Sequence, residues 1–178
     1  MLNKTSINGA VIQMVSHGLM TALFFAAIGM IYSRTHTRMV AQLGGLLKVM
    51  PFISTVFVIA GLCSLGLPGF SGFVAEMTVF MGSWQNPDGV YRIATVISAA
   101  SIVVTAVYIL RATGRTIMGP ISDEHALLGD ATWNEKFAAG LLIVGILIIG
   151  LAPFLINQLI MPSTEFLMIN IDKAITLK

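Results

Sequence analysis

Apolar stretches closed by polar or turn-forming clusters divide the chain. From Ile7 to Tyr32, "INGAVIQMVSHGLMTALFFAAIGMIY" carries no formal charge, apart from the titratable His17. A helix rising about 1.5 Å per residue needs about 20 residues to cross roughly 30 Å of hydrocarbon, so this segment is long enough to span a bilayer. The second segment, residues 51–67, opens on Pro51, where the missing N–H would have had no helical partner. Pro68 and Gly69 close it. The third, residues 70–84, reaches only about 22 Å as a helix, short of a hydrocarbon core. Short, glycine-interrupted apolar segments mark discontinuous helices, whose freed backbone groups line a polar cavity. A fourth segment covers residues 92–117 and a fifth residues 137–156. The predicted fold is all-α, a polytopic transmembrane helical bundle: a single membrane domain over residues 1–178 with about five segments, one a short discontinuous helix.

The connections add detail. Arg34, His36, Arg38 and Lys48 make a basic link after the first segment, and "MVAQLGGLLKVM" reads as a stretch lying at the interface. Trp84 stands at an interface ahead of the turn "QNPDG". The fourth segment is rich in small and hydroxyl residues such as Ser98, Ala99, Ser101 and Thr105, which suit packing between other helices. Arg111 and Arg115, four apart, read as an interfacial anchor, as does Lys48. Asp123, Glu124, His125 and Asp130 fall in a polar loop that reads as a solvated turn and not a metal site. The fifth segment is plain aliphatic, and the tail to Lys178 is amphipathic enough to rest on the surface. Lysine and arginine at alternate ends number six (Arg34, Arg38, Lys48, Arg92, Lys173, Lys178) against four (Lys4, Arg111, Arg115, Lys136), a bias too small to orient the chain.

Composition agrees with a membrane solvent. Of 178 residues 56% are hydrophobic and 10% charged, with a mean hydropathy of +0.89, whereas soluble domains carry about a quarter charged residues. The net charge of +2 is scattered, leaving no nucleic-acid footprint. The single cysteine, Cys63, reads as a small core residue and excludes a disulfide within the chain. No cleavable leader is expected, because the start is polar and the first apolar segment is too long.

Against this background Glu76 stands out, the only charge between Pro51 and Asp88. An acidic group at a helix centre costs about 2.5 to 3.5 kcal/mol on insertion scales. Two readings are open. Either the carboxyl is a proton carrier beside the Pro68-Gly69 break, or it is a group near the interface satisfied by a hydroxyl such as Ser71 or by snorkelling. His17 shares a helical face with Gln13, and as a residue that titrates near physiological pH it is either a relay or a histidine bonded to a neighbour's carbonyl. No haem, phosphate-loop or nucleophile-elbow pattern is present.

Three stretches, "NGAVIQMVSHGLMTALFFAAIGMIYSRTHTR", "GGLLKVMPF" and "AGLCSLGLPGFSGFVAEM", resemble in order and spacing the C-terminal part of the antiporter-like subunits of proton-pumping NADH-quinone oxidoreductase (respiratory complex I), of the subunit M or chain 4 type. The resemblance covers roughly residues 8 to 118. The sister subunits L and N tend to carry lysine where Glu76 stands. The resemblance implies a fourteen-helix fold with two inverted repeats and a mid-membrane chain of ionisable residues. In it Glu76 matches the acidic residue of the second discontinuous helix near the proton exit, and His17 a histidine linking the central lysine to that exit. Pro68 and Gly69 match the helix break.

By the same resemblance the chain binds no cofactor itself. Flavin, iron–sulfur clusters and quinone are expected in other subunits, and protons move in response to quinone reduction elsewhere in the complex. The expected partners are other membrane subunits, the lipid bilayer and a separate chain supplying the N-terminal helices that have no counterpart here. The expected location is the bacterial-type cell (inner) membrane or another energy-transducing membrane. Two other readings stay open: a subunit of a cation/proton antiporter or membrane-bound hydrogenase of the same superfamily, and a non-functional gene fragment.

Overall fold

The structure, a computed structural model, describes residues 3–176, so Lys178 of the charge comparison lies outside the described residues. They form six helices: α1 (Lys4–Thr35), α2 (Pro51–Ser64), α3 (Ser71–Trp84), α4 (Gly89–Ile117), α5 (Trp133–Leu151) and α6 (Pro153–Thr176). By length and composition, α1, α4, α5 and the Pro153–Ile171 part of α6 can each cross a membrane.

Local chemistry explains the helix ends. Asn3 caps α1, its side chain accepting from the Ser6 N–H at 2.8 Å while its own N–H donates to the Ser6 hydroxyl at 3.3 Å. The α5 start uses the same device, with the Thr132 N–H donating to Glu135 Oε2 at 2.6 Å. For α2 the cap comes from far along the chain. The Asp130 carboxylate accepts from the N–H groups of Phe52 (2.9 Å) and Ile53 (3.3 Å), placing a negative charge at the positive end of the helix dipole.

Helix α1 organises the bundle. Its last turns meet α2, where Phe24 packs edge-on against Phe57 with ring centroids 5.4 Å apart. Further towards its start Ser16 bonds Ser71, Gly9 lies against Val79 and Ser6 against Gly82, all on α3. Thus α2 and α3 follow one another along α1 in one direction, antiparallel to it. They are two halves of one broken span and not the two separate crossings expected over residues 51–67 and 70–84. The order of contacts along α1, Phe24 with Phe57, then Ser16 with Ser71 and Gly9 with Val79, shows that the chain keeps its direction through the turn at residues 65–70. Helix α4 lies antiparallel to both halves, meeting α3 through Thr95–Ser83 and α2 through Ile109 beside Gly61.

The fifth expected segment, residues 137–156, divides at Ala152. The ring of Pro153 removes an N–H, and a new helix starts there. Helix α6 runs on along α1 in the direction of α5, as the sequence of contacts Ile12 with Ile149, Asn8 with Asn157 and Lys4 with Glu165 requires. Where the sequence suggested a surface-resting tail, the structure holds a helix whose first half is docked on α1. Helix α4, expected between neighbours, has only Thr95, Thr116 and Ile117 buried, and its apolar flank is left uncovered by the other described residues.

Candidate functional site at the broken span

Helix α2 ends in a Schellman arrangement. The Gly66 N–H donates to the Cys63 carbonyl (3.1 Å) and the Leu67 N–H to the Leu62 carbonyl (3.4 Å), with Gly66 left-handed at φ +63. Pro68 follows two residues later, where it stops the helix from resuming, and Gly69 takes φ +96 before α3 starts at Ser71. The residue that turns the chain is therefore Gly66, ahead of the Pro68-Gly69 pair singled out in the sequence. Its signal was legible as a glycine two residues before a proline at the end of an apolar run.

Glu76 is half-buried, and its carboxyl lies over this turn. A Cβ placed on Gly66 would collide with Glu76 Oε2, so the absence of a side chain at residue 66 makes the space for the acid. Among the described residues the Glu76 carboxyl makes neither a hydrogen bond nor an ion pair. The hydroxyl of Ser71 is not its partner. That oxygen is fully buried, 2.7 Å from the Ser16 hydroxyl and 3.6 Å from the Cys63 sulfur, on the side of α3 that faces α1.

The structure does not bring His17 to Glu76. His17 lies on a face of α1 that the chain leaves exposed, with Nε2 3.3 Å from the Thr21 hydroxyl. Among the described residues no hydrogen bond joins His17 and Glu76, and the pairing of their neighbours runs instead from Ser16 to Ser71. Gln13, expected to share a polar patch with His17, has a buried side-chain oxygen with no hydrogen-bond partner among the described residues. Gly18 and Gly29, further along α1, border open space.

A polar cluster at the far end of the bundle escaped the sequence reading. The Arg34 guanidinium forks onto Glu135 at 2.7 and 3.1 Å and donates to the carbonyls of Gly129 and Asp130. This ties α1 to the start of α5, and through Asp130 to the start of α2. Asp123 and Glu124 are exposed and His125 is buried. Among the described residues no three His, Cys, Asp or Glu side chains group as metal ligands. Lys48, Arg111 and Arg115 are exposed.

A bundle of long apolar helices, whose central span is broken beside a lone carboxyl, defines an integral membrane protein. The chain belongs to the NADH:quinone oxidoreductase/Mrp antiporter transmembrane family, whose profile matches residues 1–100. It is 38% identical to NAD(P)H-quinone oxidoreductase chain 4 1 of Synechococcus elongatus over 88% of its own length and 30% of that protein. With NADH-quinone oxidoreductase subunit M of Rhodobacter capsulatus it shares 34% identity over 94% of its length and 32% of that protein. The chain thus spans about a third of the length of these relatives. In fold it matches a chain of respiratory complex I from Thermus thermophilus, with a TM-score of 0.78 at 24% identity, covering 89% of this chain and 32% of that one. The Mrp complex from Dietzia sp. DQ12-45-1b matches with a TM-score of 0.79 at 20% identity, covering 92% and 38%.

Proposed function

We propose that this chain is the C-terminal, proton-translocating part of an antiporter-like membrane subunit of NADH-quinone oxidoreductase, working in an energy-transducing membrane. The observation that carries the reading is the unpartnered Glu76 carboxyl above the Gly66 turn, in a span that is broken at mid-length. A carboxyl with no fixed partner can gain and lose a proton without breaking an internal ion pair. Glu76 is the exit-side carrier, and water at the 65–70 break connects it to the surface.

His17 is the relay. Its exposed position on α1 suits hand-over from a partner rather than direct contact with Glu76. That partner corresponds to the part of the longer relatives that the match to this chain does not span. Flavin, iron–sulfur clusters and quinone belong to other subunits of the assembly. The relatives named for quinone oxidoreductases, at 34 to 38% identity, favour this reading over a cation/proton antiporter, which shares the family profile and the fold but matches here at 20% identity.

The test is Glu76→Gln in the assembled enzyme in inverted membrane vesicles. Proton uptake driven by NADH should fall roughly tenfold or more, on the scale of losing a positioned proton-transfer group, while electron transfer from NADH to a soluble acceptor stays unchanged. Proton uptake equal to the wild type would leave Glu76 a structural residue and the chain without a carrier.

A further inference from the structure

We propose that the cleft between α1, α2, α4 and the connection after α1 binds an anionic phospholipid, with one acyl chain in the cleft and the phosphate on Arg38. The cleft measures about 320 Å³. Its walls are carbon, from Ile28 and Ile31 of α1, Val40 and Leu43 of the connection, Phe57 of α2 and Ala112 of α4. Its polar lining comes from Thr37, Arg38 and Thr116.

Depth orders these groups. Arg38 follows the end of α1, at the level where Tyr32 and Arg34 mark the membrane edge, whereas Ile28 lies about two helical turns further in. An amphiphile entering from the bilayer would therefore meet a cation at headgroup level and carbon below it. Arg38 is free to receive an anion. Its guanidinium is stacked 4.5 Å over the Tyr32 ring, which fixes its plane, and among the described residues it has no carboxylate partner.

The wall is built and not merely left over. Gly45 is left-handed at φ +64, its N–H donates to the Met118 carbonyl at 3.0 Å, and a Cβ there would strike the backbone of residues 119–121. The connection is thereby pinned to the end of α4. Leu43, Ile31 and Phe57 are buried beneath it. An apolar cleft open to lipid is filled by an acyl chain, because an empty one forfeits the dispersion contacts of its lining. The cation selects the headgroup.

The experiment uses the intact membrane assembly, purified in mild detergent, exchanged with phosphatidylglycerol or phosphatidylcholine, and weighed by native mass spectrometry. Wild type should retain phosphatidylglycerol in preference to phosphatidylcholine. Arg38→Gln should weaken that retention about fivefold, the attraction of about one basic group at a membrane surface, and erase the preference. Arg38→Lys should keep the preference, Ala112→Phe should expel both lipids, and Lys48→Gln, outside the cleft, should behave as wild type. Equal retention by wild type and Arg38→Gln overturns the proposal. So does a density map of the assembly showing a helix of another chain in the cleft.

Discussion

The two halves of the broken span are held in opposite ways. The first half of helix α2 is fixed by large side chains: Ile53, Val56 and Phe57 share one buried cluster with Leu23, Ala27, Met30 and Ile31 of α1, while Ala60, Gly61 and Cys63 are buried towards the break. Helix α3 is fixed by small ones, with Ser71, Gly72, Ala75, Gly82 and Ser83 buried. At Gly9 and Gly82 the backbones of α1 and α3 come so close that a Cβ on Gly9 would stand 2.7 Å from the Val79 nitrogen and one on Gly82 would strike Ser6. In lipid no hydrophobic force draws helices together, so association rests on packing and on bonds such as Ser16–Ser71. The α2 half anchors the span. The α3 half gives up bulk for close approach, and this is the half that carries Glu76.

That contrast can be broken at either end. Phe57→Ala should have the largest effect, about 3 kcal/mol off the unfolding free energy measured by detergent titration, because it empties the α2 packing and the edge-on contact with Phe24. Gly82→Val should cost about 2 kcal/mol, since its neighbour is the Ser6 backbone, which cannot swing aside. Gly140→Val, facing open space, is the control; equal costs at the two positions would mean that the α1–α3 seam is not tight. Gly66→Ala sharpens the comparison at the break. The left-handed backbone costs about 1 kcal/mol with a Cβ, and the same methyl displaces the Glu76 carboxyl, so proton uptake in vesicles should fall further than the folded yield. Ser16→Ala should be smallest, about 0.6 kcal/mol, the average for a bond between membrane helices.

Much of this was legible in the chain. The apolar lengths, the proline at residue 51, the unusual Glu76 and the glycine-proline cluster announce membrane helices and a break. Gly66 is legible from its place before Pro68, although the Leu67-Pro68-Gly69 turn is the louder signal in the sequence. The pairing of Arg34 with Glu135 and the capping of α2 by Asp130 could not be read, since each joins residues about 80 to 100 positions apart and no local spacing encodes them. The direction of α3 was hidden for a similar reason: hydropathy marks where a helix can lie in a membrane, not which way the chain runs after a turn.

The sequence by itself determined the solvent, the helices and the residue types available for chemistry, because burial of apolar length and the conformational limits of proline and glycine act locally. Tertiary structure alone decided that α2 and α3 are one span, that α6 continues α5, and that Ser71 serves Ser16 and leaves Glu76 without a hydroxyl. It also set His17 on an uncovered face, apart from Glu76. These outcomes depend on which helix faces which, and that is fixed by backbone approach at Gly9, Gly82 and Gly150 and by bonds between distant residues.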